Sequence, residues 1–149
     1  QIQALDLADQ VIWWPTSPGP VSDAALNTLY NACGLGLNTS AGEGFGLVSF
    51  EHAACAVPQL LPDLPPLREL WGDDAILLGP PEHVRPRWSP LWMGELQAEQ
   101  IADGLHRALR DDDAHRDWSG RALHRATQPT FDWDRVAEDL MLLLSSAFR

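Results

Sequence analysis

The sequence predicts an α/β domain in which a parallel sheet lies between helices, and three observations support that prediction. Short, nearly continuous apolar runs alternate with amphipathic helical segments over the first 80 residues. Strands buried on both faces have this uninterrupted apolar character, whereas half-exposed strands alternate. The chain has 149 residues, of which 45% are hydrophobic and 21% charged, so it is large enough for one domain with a real core.

The predicted elements follow one another closely up to residue 79. VIWW (11–14), ended by Pro15, has the composition of a buried strand. Ser22 or Asp23 is expected to cap the helix that follows at 23–33. Apolar residues recur along this helix at the spacing of one face, at Leu26, Leu29, Tyr30 and Cys33. Further strands are predicted at 35–39, 58–62 and 75–79, and further helices at 47–55 and 67–71.

The pattern changes after residue 80. PPEHVRPRWSPLWMG (80–94) has four prolines and no clear period, so we expect a long loop or a small excursion from the sheet. Helices are predicted again at 94–110, 113–126 and 132–148. The last of them carries an apolar stripe too rich for a free surface, and we expect it to pack on the sheet or at a junction with another domain. The stripe consists of Val136, Leu140, Leu143 and Leu144.

Charge and hydropathy exclude several functional classes. The net charge of −11 leaves no basic stripe to replace phosphate counterions, so a nucleic-acid partner is not expected. Apolar runs such as MLLL (141–144) are too short for a transmembrane segment. The opening, QIQALDLADQ, resembles the interior of a longer chain rather than a signal peptide, which predicts a cytoplasmic protein or one peripheral to a membrane. Cys33 and Cys55 are expected to be buried thiols in a reducing compartment.

GEGFGLVSFE (42–51) is the most informative stretch of the chain. It follows a predicted strand of a parallel sheet, and α/β proteins bind ligands at the carboxyl ends of such strands. The glycines allow close backbone approach, and the N–H groups of the helix that follows can bind an anion such as a phosphate. Glu43 and Glu51 are suitable acceptors for sugar hydroxyls. From the spacing alone, a structural turn and a ligand site both remain open.

The sequence around this stretch resembles the donor-binding half of the family 4 glycosyltransferases. The family signature E-x7-E corresponds to Glu43 and Glu51, followed by the pattern A-x4-P that ends at Pro58. The resemblance runs in register from residue 11 to residue 80 and more loosely to the end. It rests on LNTLYNAC, LGLNTSAGEGFGLVSFEHAACAVPQLLPD, LRELWGDDAILLGP and TFDWDRVAEDL. The resemblance implies a Rossmann-like parallel sheet flanked by helices, the C-terminal half of a GT-B fold, occupying residues 1–149.

The resemblance also implies roles for individual residues. Glu43 matches the catalytic-site glutamate that contacts the donor sugar, and Glu51 matches the glutamate that binds the ribose hydroxyls. The backbone of the turn and of the first helical residues would hold the sugar and the diphosphate, at Gly44, Phe45, Gly46, Leu47 and Val48. The connector at 13–22 corresponds to the stretch that borders the base.

The implied reaction is transfer of a hexose from a nucleotide sugar to an acceptor hydroxyl, with retention of the anomeric configuration. UDP- or GDP-hexose would be the donor, and neither a metal nor another cofactor is expected. The acceptor, a glycan, a lipid-linked glycan or a small molecule, would be bound by an N-terminal domain that this chain does not contain. The chain alone is therefore expected to be inactive. The family's phosphate-neutralising basic residues also lie upstream of the residues present here.

Two positions depart from the family pattern, and there are three alternative functions. Gly34 stands where the family usually has Asp, and Ala56 stands where it usually has Gly, before Val-Pro. A noncatalytic nucleotide-sugar-binding or interaction module with the same fold is the alternative function, although such a module would not need both glutamates. A phosphorylase would need a lysine for its cofactor, and the chain has none; a sugar-nucleotide epimerase fits the EGFG context poorly.

Other polar and aromatic residues have mainly structural interpretations. His52 is expected to pack rather than to bind a ligand. The acidic runs 111–113 and 73–74 are expected to be solvated connectors or helix caps rather than metal sites. Arg68 and Glu69 lie where the family has a cleft-rim pair, so a donor contact is a second interpretation there. Trp88 and Trp92 are expected to anchor a loop rather than to cover a partner.

Overall fold

The structure is a computed structural model that describes residues 3–12, 20–85, 87, 90 and 93–148. The α-helices in this part of the chain are α1 (Asp23–Ala32), α2 (Leu47–Ala53), α3 (Pro65–Trp71), α4 (Ala98–Leu109), α5 (Asp112–Ala126) and α6 (Trp133–Ala147). The strands are β1 (Gly36–Leu37), β2 (Gln59–Pro62), β3 (Ile76–Leu78), β4 (Glu82–Val84) and β5 (Met93–Glu95). Short 3₁₀ turns occupy Gln3–Leu5, Ala8–Gln10 and Pro129–Phe131.

The central sheet has the parallel topology that the sequence predicts. Its strand order is β1-β2-β3, and both pairings are parallel. Leu37 lies opposite Leu60, and Pro62 lies opposite Leu78. The three carboxyl ends therefore lie along one edge, and we call the residues after them (38–46, 63–64 and 79–81) the carboxyl edge.

Helices cover both faces of this sheet. On one face, Leu61 packs with residues of α2, α3 and α5, including Ala53, Trp71 and Ala122, which are fully buried. On the other face, Leu60, Ile76 and Leu78 pack with Ala108 of α4. The strands read as continuous apolar runs because both of their faces are buried. The predicted α/β class is confirmed.

Local hydrogen bonds explain where the long helices begin. The Ser22 hydroxyl accepts a hydrogen bond from the Ala25 amide at 3.3 Å, as the predicted N-cap of α1. The Asp111 carboxylate accepts from the Ala114 amide at 2.7 Å, and this bond lowers the pKa of Asp111. The cap predicted within residues 111–113 is confirmed. Asp132 caps α6 in the same way, by accepting from the Asp134 amide at 2.8 Å.

Three expectations about individual segments were wrong. Val11 and Ile12, the described half of the predicted first strand, lie outside any strand and are exposed; Trp13 and Trp14 lie outside the described residues. Cys33 is exposed rather than buried, because it caps the carboxyl end of α1 instead of lying within its packed face. Asp74 is not a solvated connector, since its carboxylate forms a half-buried ion pair with Arg125 at 2.8 Å.

The segment after residue 80, where we expected a long loop or a small excursion from the sheet, contains a hairpin. β4 and β5 pair antiparallel, with Glu82 opposite Glu95 and Val84 opposite Met93. Each strand has three residues, too few for a recognisable alternation in the sequence. The expectation that Trp88 and Trp92 anchor this segment lies outside the described residues.

The β4–β5 hairpin lies across the carboxyl edge of the central sheet. The Gly94 amide donates a hydrogen bond to the Ala41 carbonyl, which follows β1, at 2.7 Å. A Cβ at Gly94 would lie 2.9 Å from Leu64 Cδ2 and 3.0 Å from Pro81 Cγ, and these two residues follow β2 and β3. The hairpin thus contacts residues beyond the ends of all three parallel strands. Only glycine allows this close approach.

Helix α6 is exposed along its whole length. It contains no buried residue, and its packing partner is the 3₁₀ turn Pro129–Phe131 rather than the sheet. The exposed fraction is 54% for Leu140 and 68% for Leu143. Among the described residues, no helix is long and apolar enough to cross a bilayer, and α6 is no exception.

Candidate functional site

The glycine loop connects β1 to α2 at the carboxyl edge. Gly46 is the N-cap of α2 and has φ of 78°, in the left-handed region. A Cβ at this position would also lie 3.2 Å from Leu67 Cδ2. Both the backbone conformation and the close contact therefore require glycine at the start of the helix.

Glu43 lies at the amino end of α2, inside the loop. Its Oε1 accepts a hydrogen bond from the Gly44 amide at 3.1 Å, and its side chain is half-buried. A Cβ at Gly46 would lie 3.6 Å from Glu43 Cγ, so the glutamate side chain runs beside the helix terminus. The carboxylate is thus held where the loop meets α2.

The first turn of α2 presents backbone N–H groups at the carboxyl edge. The first amides of a helix have no acceptor within the helix, and Gly46 has no side chain with which to cap them. The side chains of Leu47 and Val48 are 65% and 68% exposed, so no apolar packing covers this turn. Ser49 is buried and faces the core. This end of α2 therefore has the electrostatic character that favours an anion.

Glu51 lies on the same exposed side of α2 as Leu47 and Val48. Its Oε2 accepts a hydrogen bond from the hydroxyl of Tyr30, on α1, at 3.1 Å. Burial, followed by this bond to the Glu51 carboxylate, raises the pKa of Tyr30 to about 12. Tyr30 therefore remains a donor at neutral pH and holds Glu51 in one orientation. The sequence predicts only a packing role for Tyr30, because a hydrogen bond across 21 residues has no local signature.

His52 packs against Tyr30 and so supports the Tyr30–Glu51 hydrogen bond. Its ring stacks on the ring of Tyr30, with centroids 5.0 Å apart, and its Nε2 lies 3.2 Å from the Tyr30 carbonyl oxygen. Burial lowers the pKa of His52, so the ring is neutral near pH 7 and Nε2–H donates to the carbonyl. The expectation that His52 packs is confirmed.

Phe45 anchors the loop through its side chain. Its ring centroid lies 5.1 Å from that of Phe50 on α2 and 6.2 Å from that of Phe131. Phe50 in turn contacts the buried Trp71 edge-on. At this residue only the backbone is suited to bind a ligand at the carboxyl edge, because the ring is used to fix the loop on the core.

A groove of 380 Å³ lies beside the loop, on the side of α3 and α5. It is lined by Gly44, Phe45, Pro66, Glu69, Leu70, Arg125, Thr130 and Phe131. Arg125 is engaged by Asp74, and Arg68 forms an ion pair with Asp63. Of the two rim residues considered from the sequence, Glu69 therefore lines a groove, whereas Arg68 is occupied by a carboxylate of its own chain.

The described residues offer no metal centre. No three His, Cys, Asp or Glu side chains in this part of the chain are grouped closely enough to hold an ion. The run 111–113 serves as a helix cap and as the acidic partner of Arg110 and Arg116. The site at the carboxyl edge thus consists of backbone amides, two glutamates and their supporting side chains.

The fold is that of a GT-B glycosyltransferase domain. A solved structure, the sucrose-phosphate synthase from Thermosynechococcus elongatus, matches 99% of this chain with a TM-score of 0.73 and 22% sequence identity. The chain spans 32% of the length of that protein. No curated protein sequence matches the chain.

A comparison of the sequence with models of protein families shows the family of this chain. The model of the family described as "Family 4 Glycosyltransferase in conflict systems" matches residues 20–140, well over half of the chain. The chain belongs to this family of glycosyltransferases. The resemblance stated from the E-x7-E signature and its flanking motifs is therefore confirmed at the level of the family.

Proposed function

We propose that the chain is the donor-binding half of a retaining hexosyltransferase. The full enzyme would transfer a hexose from a nucleotide-diphosphate sugar to an acceptor hydroxyl. The observation that carries this proposal is the placement of Glu43 and Glu51 on either side of the open first turn of α2, with Glu51 fixed by Tyr30. Two acceptors of sugar hydroxyls thus flank one site for an anion.

The diphosphate binds at the amino end of α2. The amides of Leu47 and Val48 face it, and the backbone from Gly44 to Gly46 approaches the sugar and the bridging phosphate. When the bond to the sugar breaks, negative charge grows on the departing diphosphate. Preorganised N–H groups stabilise that charge without reorganising, which is electrostatic catalysis. The reaction written in this way requires no metal ion.

The two glutamates orient the donor. Glu43 uses Oε1 for the Gly44 amide, and its other oxygen accepts a hydrogen bond from a hydroxyl of the hexose. It positions the sugar and is not a covalent nucleophile. Glu51 uses Oε2 for Tyr30, and Oε1 accepts from the ribose hydroxyls of a UDP or GDP donor. A carboxylate whose geometry is already set loses less entropy when the ribose binds.

The acceptor and the missing half of the cleft belong to an N-terminal domain. The apolar face of α6 packs at the junction with that domain, which is why it is uncovered here. The family is described as one of glycosyltransferases in conflict systems, so we favour an acceptor that comes from the target of such a system. This acceptor would be a glycan, a lipid-linked glycan or a small molecule. The enzyme would work in the cytoplasm or at a membrane surface.

Ligand binding to the 149-residue chain tests the donor site. The thermal stability of the wild type is measured with UDP, GDP, ADP and their hexose conjugates, beside Glu51→Ala. A ligand at about 100 times its dissociation constant stabilises by about 2.7 kcal/mol. Glu138→Ala, an exposed carboxylate on α6, is the matched control. Stabilisation of the wild type and the control but not of Glu51→Ala is expected. If neither the 149-residue chain nor the full-length protein, which adds the upstream basic residues, responds to any nucleotide, the proposal is contradicted.

Turnover by the full-length protein distinguishes a transferase from a noncatalytic module of the same fold. Glu43→Gln is expected to reduce transfer by on the order of 100-fold, because the sugar is misplaced. The anomeric configuration of the product, followed by NMR, reports retention or inversion. A wild-type protein that binds donor but releases no hexose to any acceptor or to water would favour the noncatalytic module.

A further inference from the structure

The carboxyl edge has little positive charge for a ligand that carries phosphates. Glu43 and Glu51 are both acidic, and the net charge of the chain is −11. The amino end of one helix contributes about half an elementary charge, less than one phosphate group needs. The chain has ten basic residues, all of them arginines. The question is which of these arginines can reach the edge.

Most of the described arginines are occupied elsewhere. Six form ion pairs with aspartates, namely Arg68, Arg110, Arg116, Arg121, Arg125 and Arg135. Arg107 donates a hydrogen bond to the Leu77 carbonyl at 3.2 Å. Arg85 and Arg87 are exposed, and neither takes part in an ion pair between described residues. Arg85 is the first residue after β4, and Arg87 is the third.

The hairpin brings Arg85 close to the carboxyl edge, and Arg87 follows two residues later in the chain. Gly94 of β5 is bonded to Ala41 in the glycine-loop segment, and β4 pairs with β5. Val84 lies opposite Met93, the neighbour of Gly94, and Arg85 is the next residue after Val84. Arg85 lies roughly two residues further along the strand than the hydrogen bond between Gly94 and Ala41. At about 3.3 Å per residue, this corresponds to about 7 Å between the backbone of Arg85 and that bond.

Two buried polar atoms at the same edge lack hydrogen-bond partners. By extension of the β1–β2 register, Ser40 lies opposite Asp63, just beyond the strand ends. Among the described residues, Ser40 Oγ and Asp63 Oδ1 are buried side-chain atoms without a hydrogen-bond partner. Arg68 offsets the charge of Asp63. Burying polar atoms without partners costs free energy, and such groups concentrate where a protein binds something polar.

We propose that Arg85 and Arg87 bind a phosphate group of a ligand at the carboxyl edge. Guanidinium groups bind phosphate oxygens bidentately and remain charged at every physiological pH. The phosphate belongs either to the nucleoside diphosphate of the donor or to a phosphorylated acceptor; the two share the same chemistry. This inference rests on the proposed function, since it adds two cations to those that the family resemblance places upstream of these residues.

Isothermal titration with defined probes tests the two arginines. The double variant Arg85→Gln/Arg87→Gln is compared with wild type for UDP, GDP, uridine, guanosine and glucose 6-phosphate. Arg116→Gln/Arg135→Gln, which removes the same charge from exposed ion pairs on α5 and α6, is the control. Because all four side chains are exposed, the melting temperature without ligand is expected to be unchanged.

Each outcome has a definite meaning. Loss of at least tenfold in affinity for UDP or GDP, with nucleoside binding unchanged, assigns the arginines to the donor diphosphate. Loss for glucose 6-phosphate alone assigns them to a phosphorylated acceptor. Unchanged affinity of the double variant for every probe overturns the inference, while weaker nucleotide binding by Glu51→Ala in the same series would leave the proposed function standing. A wild type that binds no phosphate probe overturns both.

Discussion

Helices α2 and α6 both carry apolar side chains, yet only α2 has residues that are buried. In α2, the residues Ser49, His52 and Ala53 are buried, and neighbouring helices α1, α3 and α5 contribute to the packing around it. In α6, no residue is buried, and Leu140 and Leu143 are more than half exposed. The described residues thus bury one side of α2, whereas the apolar face of α6 stays uncovered. An apolar stripe shows that a helix has a face to bury, but not what buries it.

The largest expected difference between the two regions is at their tryptophans. Trp71 is fully buried beneath α2, and Trp133 on α6 is 83% exposed. Trp71→Ala is expected to lower the free energy of unfolding by about 3–5 kcal/mol, because it leaves a cavity in the core. Trp133→Ala is expected to change it by less than about 0.5 kcal/mol. Urea denaturation of both variants measures the contrast.

A large loss of unfolding free energy in Trp133→Ala would contradict the difference between α2 and α6. It would mean that α6 packs on this chain in solution, and not at a junction with another domain. The slope of the urea transition gives a second check, because a packed α6 exposes more surface on unfolding.

The next largest effects are expected at the two ends of α2, with opposite signs. Gly46 and Ala56 have φ of 78° and 58°, so both lie in the left-handed region. Gly46→Ala is expected to cost about 1–2 kcal/mol, plus the contact with Leu67. Ala56→Gly relieves comparable strain but adds chain entropy, for a net gain of about 0.5–1 kcal/mol. Thermal unfolding of both variants tests the prediction; stabilisation by Gly46→Ala would contradict the assigned backbone.

Removal of the Tyr30 hydroxyl should leave the Glu51 side chain less well held and should lower stability moderately. Tyr30→Phe loses the bond to Glu51, about 1 kcal/mol of stability, and is expected to weaken nucleotide binding. Because the pKa of Tyr30 is raised from 10.0 to about 12, the unfolded chain releases this proton first. Stability should therefore fall between pH 10 and 12 in the wild type, and less steeply in Tyr30→Phe. Equal slopes in denaturation at these pH values would refute the Tyr30–Glu51 bond.

The smallest expected effect is the pH dependence that His52 produces. Its pKa is lowered from 6.5 by burial, so the unfolded state binds a proton before the folded state does. Stability from this group is complete above about pH 6.5 and is lost as the pH falls through the folded pKa. His52→Gln should flatten this slope, while His83→Gln, at an exposed position on β4, should leave it unchanged. Denaturation between pH 5 and 8 distinguishes the two variants.

The amino-acid sequence by itself determined the elements that depend on near neighbours. The caps at Ser22 and Asp111 act within three residues, and the apolar runs of β2 and β3 report burial on both faces. The glycine loop together with its flanking motifs indicated the family, and the match of the family model over residues 20–140 confirms it. These features are local because hydrogen bonds to the next turn and backbone sterics involve only a few residues.

Only the tertiary structure decided which distant groups meet. Tyr30 reaches Glu51 across 21 residues and Arg125 reaches Asp74 across 51, and neither pairing has a spacing that a sequence pattern could reveal. The hairpin was missed because its three-residue strands carry too few side chains for a period, and it is held at the sheet by Gly94. Such contacts depend on how the sheet register brings remote segments together, which is a property of the whole fold.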